Sequence, residues 1–223
     1  IITDIDDNEY GTVQIGNQNW MKQNLKTTRY QTGDDVNYYN YDNDSSIGET
    51  YGYLYSWFAV DDSRGLCPEN WHVPSDDEFK QLEMFLGMSQ QEADETGTRG
   101  TDEGGKLKES GLEHWDSPNT GATNESAFRA LPGGFHASDG SYSLGSGGYF
   151  WSSTDNNNNH PWHRELGNEY SGIHRGNTFE QTDLSIRCLE NIEGCTHPNA
   201  TNYDETANVD DGSCCVELWG ECY

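Results

Sequence analysis

The stretch that most constrains this fold runs from Gly147 to Cys188. GGYFWSST opens it, LSIRCL closes it, and residues 155–183 between them are polar and rich in asparagine. Aromatic and β-branched residues at both ends read as core strands, while the middle is too long for a tight hairpin. A sheet is therefore expected to carry a long polar excursion. Loops held up by a rigid scaffold are where binding concentrates, so this excursion is the first candidate for a functional surface.

Charge and cysteine usage narrow the class. A formal charge of −27 and a pI near 4.2 exclude a duplex-binding protein, because a phosphate backbone would be repelled, and make cations the natural counter-partners. So few aliphatic residues at this charge would ordinarily mean disorder. Against that stand 7 Trp, 13 Tyr, 25 Gly and 6 Cys, the means by which a compact, turn-rich, cross-linked β protein replaces aliphatic bulk. The cysteines are Cys67, Cys188, Cys195, Cys214, Cys215 and Cys222. Their even number favours disulfides and an oxidising compartment, and zinc would need close CxxC-type pairs that the sequence lacks. No apolar run approaches the roughly 18 residues of a membrane span, and no signal-peptide pattern is present. The chain is expected to be a mature, exported, soluble fragment, extracellular or at a cell surface.

Taken in order, the chain offers several local signals. Tyr10, Val13, Ile15, Trp20 and Leu25 flank a Gly16-Asn17 turn and read as a hairpin. Asp4, Asp6 and Asn8 alternate as in a calcium loop, but no acidic residue stands at the twelfth position, which leaves a solvated lead-in. Residues 26–50 read as surface loop, and GYLYSWFAV at 52–60 as a core strand or a short helix. Ser75 with Glu78 forms a capping box, Gly87 stops the helix it opens, and Phe79, Leu82, Phe85 and Leu86 share a face. Ser89 with Glu92 opens a shorter helix, after which TGTRGTDEGGKLKESG reads as irregular. PGGF at 132–135 reads as a turn into strands near 142–144 and 148–153, and a composition shift marks a boundary near 191–194.

CPENWHVPSDDEF, GGKLKE, HWDSPNTGATNESAF, ALPGGF, GYFWSST and SIRCL stand in one order. As an ordered set they resemble the Fibrobacter succinogenes major paralogous domain, a module common in secreted and surface proteins of Bacteroidetes and Fibrobacteres, over residues 4–190. The resemblance implies an α+β, C-type lectin-like fold with two helices, a twisted antiparallel sheet and long loops presenting a ligand face. It also implies a bridge from Cys67 to Cys188, a pair that position supports, since both lie beside apolar segments while the other four cysteines cluster at the end. The tail, GCTHPNATNYDETANVDDGSC, resembles cysteine-bounded repeats of secreted Bacteroidetes proteins, which are similar to the acidic calcium repeats of thrombospondin type 3. That resemblance pairs Cys195 with Cys214 and leaves Cys215 and Cys222 to close a small loop. Asn202, Asp204, Asp210 and Asp211 offer the hard oxygens that calcium takes, or cap their own turns. The expected division is residues 1–190 as the lectin-like domain and 191–223 as a small irregular disulfide-bounded module.

Chemistry is weighed on the same residues. His160, His163, Glu165 and His174 could hold zinc, but the spacing matches no helical ligand pair and Pro161 opposes a helix there. The lectin-like fold is shared with formylglycine-generating enzymes, a resemblance that implies a free cysteine pair, whereas here each cysteine has a structural partner to hand. No GxSxG elbow, Walker loop or Rossmann glycine pattern is present. The expected function is therefore non-catalytic recognition or adhesion, toward a glycan or an extracellular protein. Its expected contacts are Asn157, Asn158, His160, Trp162, His163, Arg164, Glu165, Tyr170, His174 and Arg175, which combine aromatic plates, charges and amides. C-type lectin-like proteins diversified by retroelements vary and bind in this same region. Arg129 and Arg187 are expected to pair inward. Two other readings are a structural subunit or passenger of a surface assembly and, at lower weight, a polysaccharide-acting enzyme.

Overall fold

The computed structural model describes residues 1–223 except 157, 205, 206, 216, 219, 220 and 223, and only the backbone of 217, 218, 221 and 222. Two compact units divide at the end of residue 189, Ile1–Leu189 and Glu190–Tyr223.

The larger unit mixes short helices with mostly antiparallel strands. β1 (Ile2–Thr3) pairs with β2 (Glu9–Tyr10), and the turn between them is held by Asp4, whose carboxylate accepts the backbone N–H groups of Asp6 and Asn8 and the hydroxyl of Tyr10. β3 (Thr12–Ile15) and β4 (Gln18–Met21) form the hairpin across Gly16-Asn17, with Ile15 opposite Gln18 and Gly16 at φ +61°. A positive φ there is what a two-residue hairpin turn demands and what glycine supplies without strain. Within the stretch read as loop, Asp44 caps a short helix α1 (Ser45–Tyr51) by accepting from the Ser46 N–H. GYLYSWFAV is both of its alternatives in succession, β5 (Tyr55–Ser56) and then α2 (Trp57–Val60).

After β6 (Trp71–His72), α3 (Asp76–Leu86) starts at the Ser75–Glu78 capping box and ends at Gly87. Ser75 Oγ accepts the Glu78 N–H, and the Glu78 carboxylate accepts the Ser75 N–H at 2.7 Å while also meeting His72. Replacing Ser75 with Ala removes one half of this exchange and is expected to lower stability by about 1 kcal/mol, or roughly 2–4 °C in thermal unfolding. Phe79 and Leu82 are buried as expected, but Phe85 is 63% exposed and the inward position is taken by Glu83, at 1%. α4 (Gln90–Asp94) follows its own capping box. The segment read as irregular contains β7 (Gly97–Arg99) and α5 (Glu103–Leu107). PGGF does not end a turn: β8 (Gly133–Ala137) begins within it, followed by β9 (Gly140–Leu144) and β10 (Gly147–Trp151). β11 (Trp162–Gly167), β12 (Ile173–Asn177), β13 (Asp183–Leu184) and β14 (Leu189–Glu190) complete the unit.

Apart from the β1-β2 pair, these strands make two sheets. One runs β5-β13-β8-β10-β11-β12-β7 with β9 against β8, and the other β3-β4-β14-β6. Strand alternation explains how the chain builds two cores from so few aliphatics. Neighbouring residues turn to opposite sides: Trp151 to the core of Tyr10, Met21, Tyr55, Trp57 and Trp71, Phe150 to that of Trp20, Phe79, Trp115 and Phe128. The same alternation sends Ile186 and Cys188 to the first core and Leu189 to the second. Cys67 and Cys188 are joined within the first, their α-carbons 5.9 Å apart across 121 residues of sequence.

Arg187 sits in the second core, fully buried, with its guanidinium 4.3 Å from the centre of the Phe128 ring. It donates to Asn24 Oδ1 and to the carbonyls of Met21 and Phe128. It pairs inward as expected, but with an amide and main-chain oxygens rather than a carboxylate. Arg129 does meet a carboxylate, that of Glu109, at 2.8 Å.

In the smaller unit β15 (Glu193–Gly194) lies parallel to β16 (Val209–Asp210), and β17 (Glu217–Leu218) pairs with β18 (Glu221–Cys222). Cys195 is bonded to Cys214, and Cys215 is also in a disulfide. The Cys222 side chain lies outside the described residues.

Candidate functional site

The excursion after GGYFWSST is not one open loop. Its centre is the β11–β12 hairpin, with Trp162 opposite Asn177, Arg164 opposite Arg175, and Glu165 opposite His174, and it continues the sheet from β10 to β7. The polar residues that made it read as surface are explained by burial with partners. Arg164 and Arg175 are 2% and 6% exposed and point to α3, where both meet Asp76 at 2.7 Å. Arg164 also pairs with Glu83, and so does Arg99 from β7. Burial alone would raise the Asp76 carboxyl, but the Arg175 and Arg164 guanidiniums override it and hold it well below the usual carboxylate range. The expectation that these arginines face a ligand is thereby corrected: they tie the hairpin to the helix.

Three further expected contacts are also placed otherwise. Trp162 is half-buried with one face covered by the Arg175 guanidinium, 3.8 Å from the ring centre. His163 is buried among Trp151, Tyr149 and His174, its Nδ1 has no hydrogen-bond partner, and burial pushes its pKa down to about 3, which keeps it neutral. His160 donates from Nδ1 to the Asn158 carbonyl, 2.7 Å away, and leans on Phe179. Asn158 donates its N–H to Asn156 Oδ1, so this tip is folded on itself. Asn157 lies outside the described residues.

The other face of the same strands is different. Alternation turns Tyr149, Glu165, His174 and Thr98 to it, and they stand side by side across β10, β11, β12 and β7. Phe135 on β8 extends the row, with its ring 4.9 Å from Tyr149 and 5.3 Å from Tyr142 of β9. All are half-buried or exposed, and Phe135 and Tyr149 pack at the margin of the first core.

Glycines make room for the rings. Gly147 and Gly167 face each other across β10 and β11. A Cβ on Gly147 would collide with the Tyr149 ring, and one on Gly167 with the Tyr170 ring, so two phenol rings lie over a pair of facing glycines. Tyr170 donates to Glu165 at 2.9 Å, and Tyr149 donates to Ser143. Burial raises both phenols, and the nearby Glu165 carboxylate adds to the shift. The turn carrying Tyr170 is fixed by Lys108, whose buried ammonium donates to the carbonyls of Thr120, Gly167 and Tyr170. Burial pushes the Lys108 pKa down to about 8. Of the expected contacts, the structure thus brings Glu165, Tyr170 and His174 together. It adds Tyr149, which the sequence presents as a core aromatic.

Elsewhere the carboxylates have local work. Glu109, Glu113 and His114 place ligand-type atoms within 4.8 Å of one another, but one Glu109 oxygen holds His114 and the other holds Arg129. In the tail, Asn202 Oδ1 accepts the Cys215 N–H, Asp210 Oδ1 that of Gly212 and Asp211 Oδ1 that of Ser213. Asp204 donates its N–H to the Cys195 carbonyl. The Asp210 and Asp211 bonds are turn caps of the kind Asx side chains make, while Asn202 ties two distant segments of the tail.

Among the described residues no helix is long and apolar enough to cross a membrane. The model of the Fibrobacter succinogenes major domain family matches residues 13–190. No curated protein and no solved structure matches the chain.

Proposed function

The chain belongs to the Fibrobacter succinogenes major domain family, and from that premise we propose that it is a non-catalytic recognition module of C-type lectin-like fold, displayed outside the cell, which binds a glycan. The observation that carries this reading is the pair of rings, Tyr149 and Tyr170, laid over Gly147 and Gly167, with Glu165 on β11 opposite Tyr149 and accepting the Tyr170 hydroxyl. Sugars present C–H faces that pack on aromatic rings and hydroxyls that need acceptors and donors. Glu165, His174 and Thr98 supply those beside the rings, on strands rather than on a mobile loop. Rigid elements hold such groups without an ordering cost on binding. An extracellular protein as partner is the competing outcome. Calcium in the tail is a separate proposal, supported by the oxygen chemistry of Asp204, Asp210 and Asp211 alone.

A glycan array probed with the wild-type chain and with Tyr149→Ala and Tyr170→Ala tests the reading. Each substitution is expected to weaken the retained glycans by about tenfold, which corresponds to roughly 1.4 kcal/mol, while unfolding stays cooperative. Tyr38→Ala, at a Tyr38–Tyr53 stack elsewhere, is expected to change nothing. No retained glycan, or retention unchanged in both variants, would sink it.

A further inference from the structure

We propose that the Tyr149–Glu165–Tyr170 constellation takes an ammonium group, so that sugars with free amines are bound ahead of neutral ones; this rests on the recognition reading of the same face. Elsewhere among the described residues, the buried carboxylates have charged or main-chain partners. Asp76, Glu83, Glu78 and Glu109 each meet an arginine, lysine or histidine. Asp4 and Glu103, which make no ion pair among the described residues, accept main-chain N–H groups instead. Glu165 has neither. It accepts the Tyr170 hydroxyl, has the Tyr149 phenol close by, and takes part in none of the ion pairs found among the described residues.

A half-buried carboxylate with hydroxyl partners only keeps its charge available to a cation from solution. The surroundings keep it so. Arg164 and Arg175, its neighbours in the hairpin, point to the opposite face and are spent on Asp76 and Glu83. His163, next along the strand, is neutral, and His174 directs Nδ1 toward Thr98 Oγ1 at 3.4 Å. The Lys108 ammonium is held by three carbonyls. Two phenol rings flank the carboxylate, and a cation over a ring face is drawn to its negative quadrupole. The net charge of −27 raises the local concentration of cationic ligands.

The test combines two probes on wild type and Glu165→Gln, a substitution that keeps an oxygen for the Tyr170 hydroxyl. In the first, tetramethylammonium chloride is titrated against sodium chloride at equal ionic strength while the Tyr149 and Tyr170 ring resonances are followed by NMR. In the second, calorimetry compares a glucosamine tetramer with its fully N-acetylated counterpart. Tetramethylammonium is expected to move both rings in wild type and neither in Glu165→Gln. The amine-bearing tetramer is expected to bind at least tenfold tighter than the acetylated one, with the preference erased in the variant. Rings that ignore tetramethylammonium, or equal binding of both tetramers, would overturn the ammonium site. Equal binding that Tyr149→Ala abolishes would leave glycan recognition standing and remove only the cation. Ring shifts lost in Glu165→Gln, with no sugar bound by either protein, would support the cation site and remove the glycan.

Discussion

Replacing Asp76 with Asn is expected to lower the unfolding free energy by about 3–5 kcal/mol, the usual cost of breaking a buried ion pair by removing one partner. Asp76 holds Arg164 and Arg175, and Glu83 holds Arg99 and Arg164, so the substitution leaves Arg99 and Arg164 on Glu83 alone and strips Arg175 of its carboxylate. Against a typical stability of about 5–15 kcal/mol, that is roughly a fifth of the margin or more. Urea denaturation of the two proteins measures it, and a loss below about 1 kcal/mol would mean that the network is not energetically coupled. The double variant Asp76→Asn, Arg175→Met should recover part of the loss, because it removes a stranded charge along with its partner. The pH dependence has a definite sign. The folded Asp76 pKa is depressed, so its contribution is fully present above the unfolded value of about 3.9 and is lost as pH falls through the lower folded value. Wild-type stability should therefore fall more steeply than that of Asp76→Asn below about pH 4.

That network also marks where reading the sequence stopped working. Capping boxes at Ser75 and Ser89, the Gly16 turn and the strand character of GYFW are rules of local chemistry, and the structure obeys them. Arg164 and Arg175 are polar residues in short strands, for which exposure is the default, and only the distant Asp76 and Glu83 make their burial tolerable. The pattern did hold one signal, since Asp76 and Glu83 are seven residues apart and share a face of α3. α5 was hidden by its composition. Gly104 and Gly105 weaken a helix, yet a Cβ on either would collide with the Gly172 or Gly121 carbonyl, so close backbone approach outweighs helix propensity there. The face proposed for binding was half visible. Glu165, Tyr170 and His174 stood out as polar groups in an excursion, whereas Tyr149 read as core because an aromatic strand residue usually is. What sets it apart is Gly147 two residues earlier on the same side, and its pairing with Gly167 is a matter of register that no single strand reveals.

The cross-link between Cys67 and Cys188 carries the second large prediction. It spans 121 residues, and the chain-entropy model assigns such a loop about 4–5 kcal/mol of destabilisation of the unfolded state. Cys195–Cys214 spans only 19 residues and is worth about 3 kcal/mol in the same model. The double variant Cys67→Ala, Cys188→Ala is therefore expected to unfold on the order of 10 °C below wild type. Both cysteines are at most 2% exposed, in a core that includes Tyr55, Trp57, Trp71 and Trp151, so the bridge is shielded from reductant while that core is closed. Alkylation followed by mass spectrometry should accordingly find the pair protected in native buffer with reductant and labelled once denaturant is added. Ready labelling of Cys67 in the native state, or a double variant as stable as wild type, would show that aromatic packing alone suffices to hold β14 against β4.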